Sequence, residues 1–502
     1  MRAKKAAYNS LAQLLYMAVT VVSGLIIPRL ILSNFGSDYY GVTASISQFI
    51  EYISLLSAGV GGVTMAALYK PLAECDIVKV SGIIRATEIF MRKVALTFAV
   101  ILVGIAICYP LLVRDEFGWL FTFTLALIIG IGTFAQYFFG ITYQLLLIAD
   151  QRGYVISLIK IFATLLNVVI AALLILGGNE IRVVKLASAL VFIIIPIFTY
   201  FYVKKRYSLV RGVAPDKIAL KQRWDAFAHQ LANFIQSNIG IILLTVFVGI
   251  MDVSVYAVYN LILINIRRII DALMGSGIVA AFGNMLVKNE DNNVQKNFRL
   301  YEFMSNSLSV LLYACTAMLI VSFISVYTKG VVDVDYYRPL FAYLACVTQL
   351  FMVFRVPYEA LVNAAGHFKQ TRNVAIIEVG INIVLSVVLV QRFGLVGVIV
   401  GSLCAIVYRT IMYAVYTSKH LLQRSLWEFA RKLLLALVNA GLIVLLAQFI
   451  PQMNELTYVA WILQALPVFG VSAGVTILFA VVFYRNEMRL LFKTLHSVMS
   501  KK

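Results

Sequence analysis

Two adjacent arginines and an aspartate interrupt a long apolar stretch in the second half of the chain. Arg267 and Arg268 lie inside the stretch 253–286, and Asp271 follows them at i+4 and i+3. On a helix the two arginines point about 100° apart, so Asp271 can neutralise one of them and the other needs a different partner. A guanidinium group is a planar fork of N–H donors that suits phosphate oxygens. The pattern therefore indicates a binding site for an anion.

Other ionisable residues also lie inside long apolar stretches, where charge is costly and marks candidate functional sites. The cations are Arg29, Arg92, Lys93, Lys160, Arg267, Arg268, Arg355 and Arg409. The acids are Glu51, Glu88, Asp271, Glu359 and Glu378, with Glu302 near the end of a stretch. A simpler explanation exists for several of them. Arg92, Lys93 and Glu88 can extend to the membrane surface, and Glu359 can pair with Arg355 at i+4.

These stretches predict an all-α polytopic membrane protein. Hydrophobic residues make up 62% of the 502 residues, charged residues make up 13%, and the mean hydropathy is +0.92. A helix needs roughly 20 apolar residues to cross a bilayer. About fourteen stretches qualify: 8–33, 41–68, 86–113, 118–148, 154–177, 182–203, 226–250, 253–286, 298–326, 337–364, 372–391, 394–418, 432–450 and 457–484.

Charge in the connecting segments predicts the orientation. Of the 42 lysines and arginines, 28 fall in connections on the same side as the N-terminus and six on the opposite side. The positive-inside rule then places both termini in the cytoplasm. The net charge of +19 is largely this topology signal, so the composition gives no reason to expect a nucleic-acid partner.

A weak internal repeat divides the chain at an offset near 216. The repeat aligns Tyr40-Gly41-Val42 with Tyr256-Ala257-Val258, and Gly59 and Gly61 with Gly275 and Gly277. At an offset of 215, Asn167 aligns with Asn382. We therefore predict two pseudo-symmetric lobes of six helices, residues 1–205 and 225–420. A basic cytoplasmic linker, 206–224, joins them, and two further helices and a cytoplasmic tail occupy 421–502.

Two segments resemble the polysaccharide-transporter branch of the multidrug/oligosaccharidyl-lipid/polysaccharide (MOP) exporter superfamily. Residues 26–42 are similar to the family's Pro-Arg late in helix one, its short Gly loop and its Tyr-Gly at the start of helix two. The matching residues are Pro28, Arg29, Gly36, Tyr40 and Gly41. Residues 149–170 are similar to its fifth helix.

The resemblance implies two lobes in a V around a central cavity, with the last two helices beside a lipid groove. It implies a flippase that moves oligosaccharides linked to undecaprenyl pyrophosphate from the cytoplasmic to the outer leaflet of a bacterial inner membrane. The products are O-antigen, capsule or exopolysaccharide. Membrane lipids, a polysaccharide polymerase and glycosyltransferases are then the expected partners.

A charge pair across the cavity would couple the binding of cargo to the opening of the cavity on one side. The repeat aligns Glu51 with Arg267, and the resemblance implies that helices two and eight face each other. We predict that Glu51 pairs with one of the arginines and that anionic cargo competes for it; the alternative is a static salt bridge. The predicted cargo-binding cations are Arg267, Arg268, Arg29, Arg355, Lys160 and Arg409.

Two alternative functions would require different features in the sequence. A cation-coupled multidrug or metabolite exporter of the same superfamily would favour acidic groups at depth. A membrane-embedded glycosyltransferase or polymerase usually needs a large domain outside the membrane, whereas the outer connections here are short. We find no Walker motif, metal-ligand cluster or nucleophile triad, so no cofactor is expected. A proton or Na⁺ gradient could act through Glu51, Glu359 or Glu378.

Overall fold

The computed structural model describes residues 2–57, 60–113, 116–210, 212–216, 227–274, 278–288, 290–451 and 455–499. Within these ranges every regular element is a helix, and there is no β-strand. The helices are α1 (Arg2–Phe35), α2 (Ser37–Ile53), α3 (Val60–Ala73), α4 (Ile77–Leu112), α5 (Trp119–Ala135), α6 (Ile141–Ala149), α7 (Gly153–Leu176), α8 (Ile181–Arg206), α9 (Phe227–Phe247), α10 (Ile250–Met274), α11 (Ile278–Val287), α12 (Asp291–Tyr327), α13 (Pro339–Ala365), α14 (Phe368–His420), α15 (Leu426–Ala447), α16 (Tyr458–Phe483) and α17 (Arg485–Met499). A 3₁₀ turn, Ser54–Ser57, follows α2, and a π turn, Gln136–Gly140, joins α5 to α6.

The prediction of an all-α polytopic protein is confirmed, although the number fourteen is not. In the described part of the chain, eleven helices are long and apolar enough to span a bilayer. The predicted stretches 372–391 and 394–418 form the single element α14, which is broken at Gly394 with φ 52°. The stretch 41–68 is divided between α2, the 3₁₀ turn and α3. In the stretch 226–250, the segment of α9 that is described as apolar, Asn238–Phe247, has ten residues and is too short to count as a span.

The chain forms two compact units, Met1–Ala257 and Val258–Lys502. Two apolar clusters make up much of the core of the first unit. One surrounds Phe98 and Leu125, and the other surrounds Leu68 and Leu146. The predicted linker 206–224 is described only in part. Arg206 ends α8, the described residues 207–210 and 212–216 are not helical, and the rest of the linker lies outside the described residues.

Packing in the first unit explains two residues of the motif at 26–42. Gly36 alone separates α1 from α2 and has φ 96°, a conformation that side chains with a Cβ rarely adopt. A Cβ on Gly41 would lie 2.2 Å from the backbone oxygen of Ile250, so glycine lets α2 approach the start of α10 closely. The helix α1 continues through Pro28 to Phe35.

In the second unit, α14 turns back on itself. The Ser386 hydroxyl donates to the backbone oxygen of Val398 at 3.3 Å, and the side-chain oxygen of Asn382 accepts from Ser386 and Ser402 at 3.0 and 3.2 Å. A Cβ on Gly401 would lie 2.2 Å from the Ser386 hydroxyl oxygen. Close packing of the two halves of α14 therefore depends on a small residue at this position.

The C-terminal helices pack on α12. Val468 of α16 and Ala447 of α15 join a core cluster with Cys315 and Leu319 of α12, and the indole N–H of Trp461 donates to the Leu319 backbone oxygen at 3.2 Å. The expected tail forms the helix α17, whose apolar residues Met488, Leu490 and Leu491 pack against Phe303 and Tyr484. The first part of the tail is thus attached to the second unit.

Candidate functional site

The two arginines of α10 have different partners. The Arg267 Nε donates to the Asp271 carboxylate at 3.0 Å, so the predicted i+4 pair is present. Arg268 donates from Nη1 to the side-chain oxygen of Asn265 at 3.2 Å, a neutral partner that sequence analysis did not identify. Of these two guanidinium groups, only that of Arg267 pairs with a carboxylate among the described residues.

Arg267 also retains unused hydrogen-bonding capacity. Its Nη1 is buried and has no hydrogen-bond partner among the described residues. Tyr301 and Tyr313 of α12 lie near enough to interact electrostatically with Arg267 and Asp271, and the buried Tyr313 hydroxyl likewise has no partner in the described part. Buried donors without partners are uncommon in proteins and need an explanation. An anionic ligand is one group that would satisfy them.

Glu51 and Arg29, two further predicted site residues, lie in the first unit. Glu51 is near the C-terminal end of α2, is exposed, and interacts with the side chain of Gln48. Arg29 is half-buried on α1. The predicted pairing of Glu51 with Arg267 or Arg268 would join residues of two units, and it stays a prediction.

Four charged side chains form a buried cluster within the second unit. The Glu378 carboxylate accepts from Arg355 at 2.9 Å and from Arg409 at 2.5 Å. Glu359 lies 3.3 Å from Arg355 and 3.8 Å from Arg409. The side chains of Glu378 and Arg409 are fully buried, and that of Arg355 is 5% exposed. Two guanidinium groups thus balance two carboxylates on α13 and α14.

The contacts in this cluster bear on the cargo binding and ion coupling that were predicted for its members. Sequence analysis predicted the local Arg355–Glu359 pair, which is present, but not the pairing of Glu378 with both arginines. In this structure Arg355 and Arg409 contact protein carboxylates. Of the two acids in this cluster that were predicted for ion coupling, Glu359, with its side chain 22% exposed, is more accessible than the fully buried Glu378. Cargo binding and ion coupling at these residues stay predictions.

A second buried cluster in the same unit was not predicted. Glu302 of α12 accepts from Arg424 at 2.8 and 2.9 Å and from Lys432 at 2.6 Å, and the Tyr358 hydroxyl also donates to it. No role beyond the charge count that predicts orientation was expected of Arg424 or Lys432. The one available signal was Glu302 itself, an acid near the end of a span.

The surroundings of Arg424 hold it in place. Its guanidinium lies 5.0 Å from the Phe298 ring centroid and 5.7 Å from that of Tyr358. Burial opposes the charged form of Arg424, but the hydrogen bonds to Glu302 outweigh burial and keep its pKa above the usual range. The cluster therefore ties the segment before α15 to α12 and α13.

Lys160, another predicted cargo cation, borders a cleft of about 450 Å³ in the first unit. Asn9, Gln13 and Tyr16 of α1 and Ser157 of α7 also line this cleft, and the Lys160 ammonium lies 5.8 Å from the Tyr16 ring centroid. Its described lining contains no acid. Lys160 therefore lies beside polar and aromatic groups, and its role in cargo binding stays a prediction.

Comparison with known proteins supports the fold. No family model matches the chain, and no curated protein sequence matches it. The solved structure of the lipid II flippase MurJ in an inward closed conformation matches with a TM-score of 0.70 at 12% identity, over 96% of this chain and 99% of that one. An inward-facing multidrug resistance MATE family transporter of the MOP superfamily matches with a TM-score of 0.64 at 15% identity, over 80% of this chain and 95% of that one.

A third match is a MOP superfamily transporter from Pyrococcus furiosus, described by the reverse polarity of its binding pocket. Its TM-score is 0.58 at 14% identity, over 84% of this chain and 97% of that one. At such identities the matches establish architecture, and the polysaccharide branch stays a prediction. The chain has the all-helical, multi-pass fold of the MOP-superfamily transporters.

Proposed function

We propose that this protein is a flippase for an oligosaccharide linked to undecaprenyl pyrophosphate, moving it from the cytoplasmic to the outer leaflet of a bacterial inner membrane. The extent of the structural matches carries the proposal. The two superfamily transporters described above cover 80% and 84% of this chain. The part of this chain that each of them does not cover is about as long as residues 421–502. MurJ covers 96%, so its match must include much of that C-terminal segment.

The charge on α10 supports an anionic cargo. Arg267 pairs with Asp271, Arg268 donates to the neutral side chain of Asn265, and the buried Nη1 of Arg267 has no partner among the described residues. A diphosphate offers several acceptor oxygens with concentrated negative charge, which matches two guanidinium groups. Glycosyltransferases that assemble the cargo and a polymerase that consumes it are the partners that this proposal implies.

Export of a cation coupled to H⁺ or Na⁺ is the second candidate, and the match to a MATE family transporter favours it. In that case Glu359, the partly exposed acid of the buried cluster, would be the candidate ion-coupling group. The two candidates differ in the charge of the cargo and in whether the cargo is a lipid.

Reconstitution into liposomes distinguishes the two candidates. The first vesicle set carries a fluorescent sugar on polyprenyl pyrophosphate, and a membrane-impermeant quencher reports transfer between leaflets. The second set carries ethidium under a pH or Na⁺ gradient. We expect protein-dependent transfer of the lipid and no gradient-driven movement of ethidium, relative to protein-free vesicles. Ethidium transport without lipid transfer would contradict the proposed function.

A further inference from the structure

The first unit carries a second cleft, bordered by α4, α6 and α8. Two cavities of about 640 and 460 Å³ form it, and they share the lining residues Glu88, Arg92, Tyr143 and Tyr200. All of its described lining residues belong to the first unit. The cleft does not include the predicted cargo cations, so the proposed function does not account for it.

The larger end of the cleft is cationic. Arg85 and Arg92 of α4 and Lys204 of α8 line it, and Glu88 is the one acid among the described lining residues. The Tyr143 hydroxyl donates to the Glu88 carboxylate. Among the described residues, no ion pair within 4.0 Å forms at the three cations. Three positive charges against one negative charge give this end a net positive charge, which favours an anion.

Aromatic rings hold two of these cations at the cleft. The Arg92 guanidinium lies 5.5 Å from the Phe138 ring centroid, and the Lys204 ammonium lies 5.9 Å from that of Tyr200. A cation over a ring keeps its charge and most of its donors available, unlike one that is neutralised by a carboxylate. The arrangement leaves these cations able to contact an external phosphate.

The smaller end of the cleft is apolar. Phe138 and Phe139 line it from the π turn Gln136–Gly140, and Ile197 and Phe201 line it from α8. Phe139, Ile197 and Phe201 are 56%, 45% and 61% exposed. Single-turn π segments inside helices are frequent at functional sites. This turn places two phenylalanines beside Arg92, where the cationic and apolar ends meet.

We propose that this cleft binds an anionic phospholipid of the surrounding bilayer. Its phosphate would contact Arg85, Arg92 and Lys204, and one acyl chain would lie along Phe139 and Ile197. A small soluble anion would not use the apolar end, and a zwitterionic lipid would bring a positive headgroup to the cationic end. The predicted orientation puts Lys204 at the cytoplasmic membrane surface, where basic residues attract anionic headgroups. This inference does not rest on the proposed cargo.

Lipid titration of the purified full-length protein tests the proposal, with native mass spectrometry counting bound phosphatidylglycerol and phosphatidylcholine of identical chains. Wild type should prefer phosphatidylglycerol. The variant Arg92→Gln/Lys204→Gln should bind it about 5-fold more weakly for each charge removed. Lys93→Gln/Lys205→Gln is the matched control, because it removes the same charge from neighbouring positions that do not line the cleft.

A second variant keeps the charges and blocks the acyl chain. Ile197→Trp should weaken binding of both phospholipids. If Arg92→Gln/Lys204→Gln does not elute as a folded protein, the binding measured for Ile197→Trp tests the proposal. Equal losses in the cleft variant and its matched control would overturn the proposal. Farnesyl pyrophosphate serves as a probe for the cargo chemistry. If its binding falls in the cleft variant while phosphatidylglycerol binding does not, the cleft serves cargo and the phospholipid proposal is wrong.

Discussion

Replacing Glu378 by glutamine should destabilise the second unit by about 3 kcal/mol. The Glu378 carboxylate is fully buried and contacts Arg355 and Arg409 at 2.9 and 2.5 Å. Its removal leaves two buried guanidinium groups with Glu359 as the nearby carboxylate in the cluster. The cost of an uncompensated buried charge exceeds the loss of the hydrogen bonds themselves.

Thermal unfolding of the full-length protein in detergent measures this effect, and two variants serve as controls. Glu359→Gln should lower the melting temperature less, because Glu359 is partly exposed and its contacts of 3.3 and 3.8 Å are longer. Glu378→Gln/Arg409→Gln should recover part of the stability, because Arg355 and Glu359 then remain as a balanced pair. A double variant as unstable as the sum of its single variants would show that charge balance is not what holds this cluster.

Replacing Glu302 by glutamine should loosen the attachment of α15 and cost about 3 kcal/mol. The change removes the charge that Arg424 and Lys432 share, and both of those side chains are almost fully buried. Hydrogen exchange should rise in the segment around Arg424 and in the first turns of α15. The reason is that these residues join this segment to α12 and α13.

The matched control for this prediction is Glu428→Gln. Glu428 also lies near Arg424, at 3.9 Å, but its side chain is 32% exposed, so its loss should cost less than about 1 kcal/mol. Exchange in α15 should be unchanged in the control. If Glu302→Gln and Glu428→Gln behave alike, the buried cluster does not anchor α15.

Contacts within one helix could be predicted from the sequence, and contacts between helices could not. The pairs Arg267–Asp271 and Arg355–Glu359 follow from i+4 spacing on a helix, and both are present. Glu378 and Arg409 are 31 positions apart, and they meet because α14 turns back at Gly394. Nothing in hydropathy or spacing indicates which of two apolar segments packs against which face of another.

The same limit applies to the fold. Continuous apolar runs identify spans, because the bilayer requires them whatever the tertiary packing. They do not identify the 3₁₀ turn at Ser54–Ser57 or the π turn at Gln136–Gly140, which depend on local packing. The polar helix α17 was also missed, because it has no apolar run and is positioned by the contacts that Met488 and Leu491 make with the second unit.

The buried cluster around Glu378 also limits which arginines can contact the proposed cargo. Arg355 and Arg409 contact Glu378 and Glu359, so an anion would have to displace protein carboxylates to reach them. The α10 pair has one carboxylate for two guanidinium groups and a buried donor without a partner among the described residues. We therefore propose that Arg267 and Arg268 make the main contact with the pyrophosphate of the proposed cargo.

Lipid transfer by an arginine variant tests this assignment most directly. Arg267→Gln/Arg268→Gln is compared with Lys288→Gln/Lys296→Gln, which removes the same charge from two exposed residues of the second unit. In liposomes carrying the fluorescent polyprenyl-pyrophosphate sugar, the arginine variant should transfer the lipid at least about 10-fold more slowly, since each lost charged hydrogen bond is worth about 1.5–3 kcal/mol. The lysine control should transfer it at the wild-type rate. Wild-type transfer by a folded arginine variant would contradict the account.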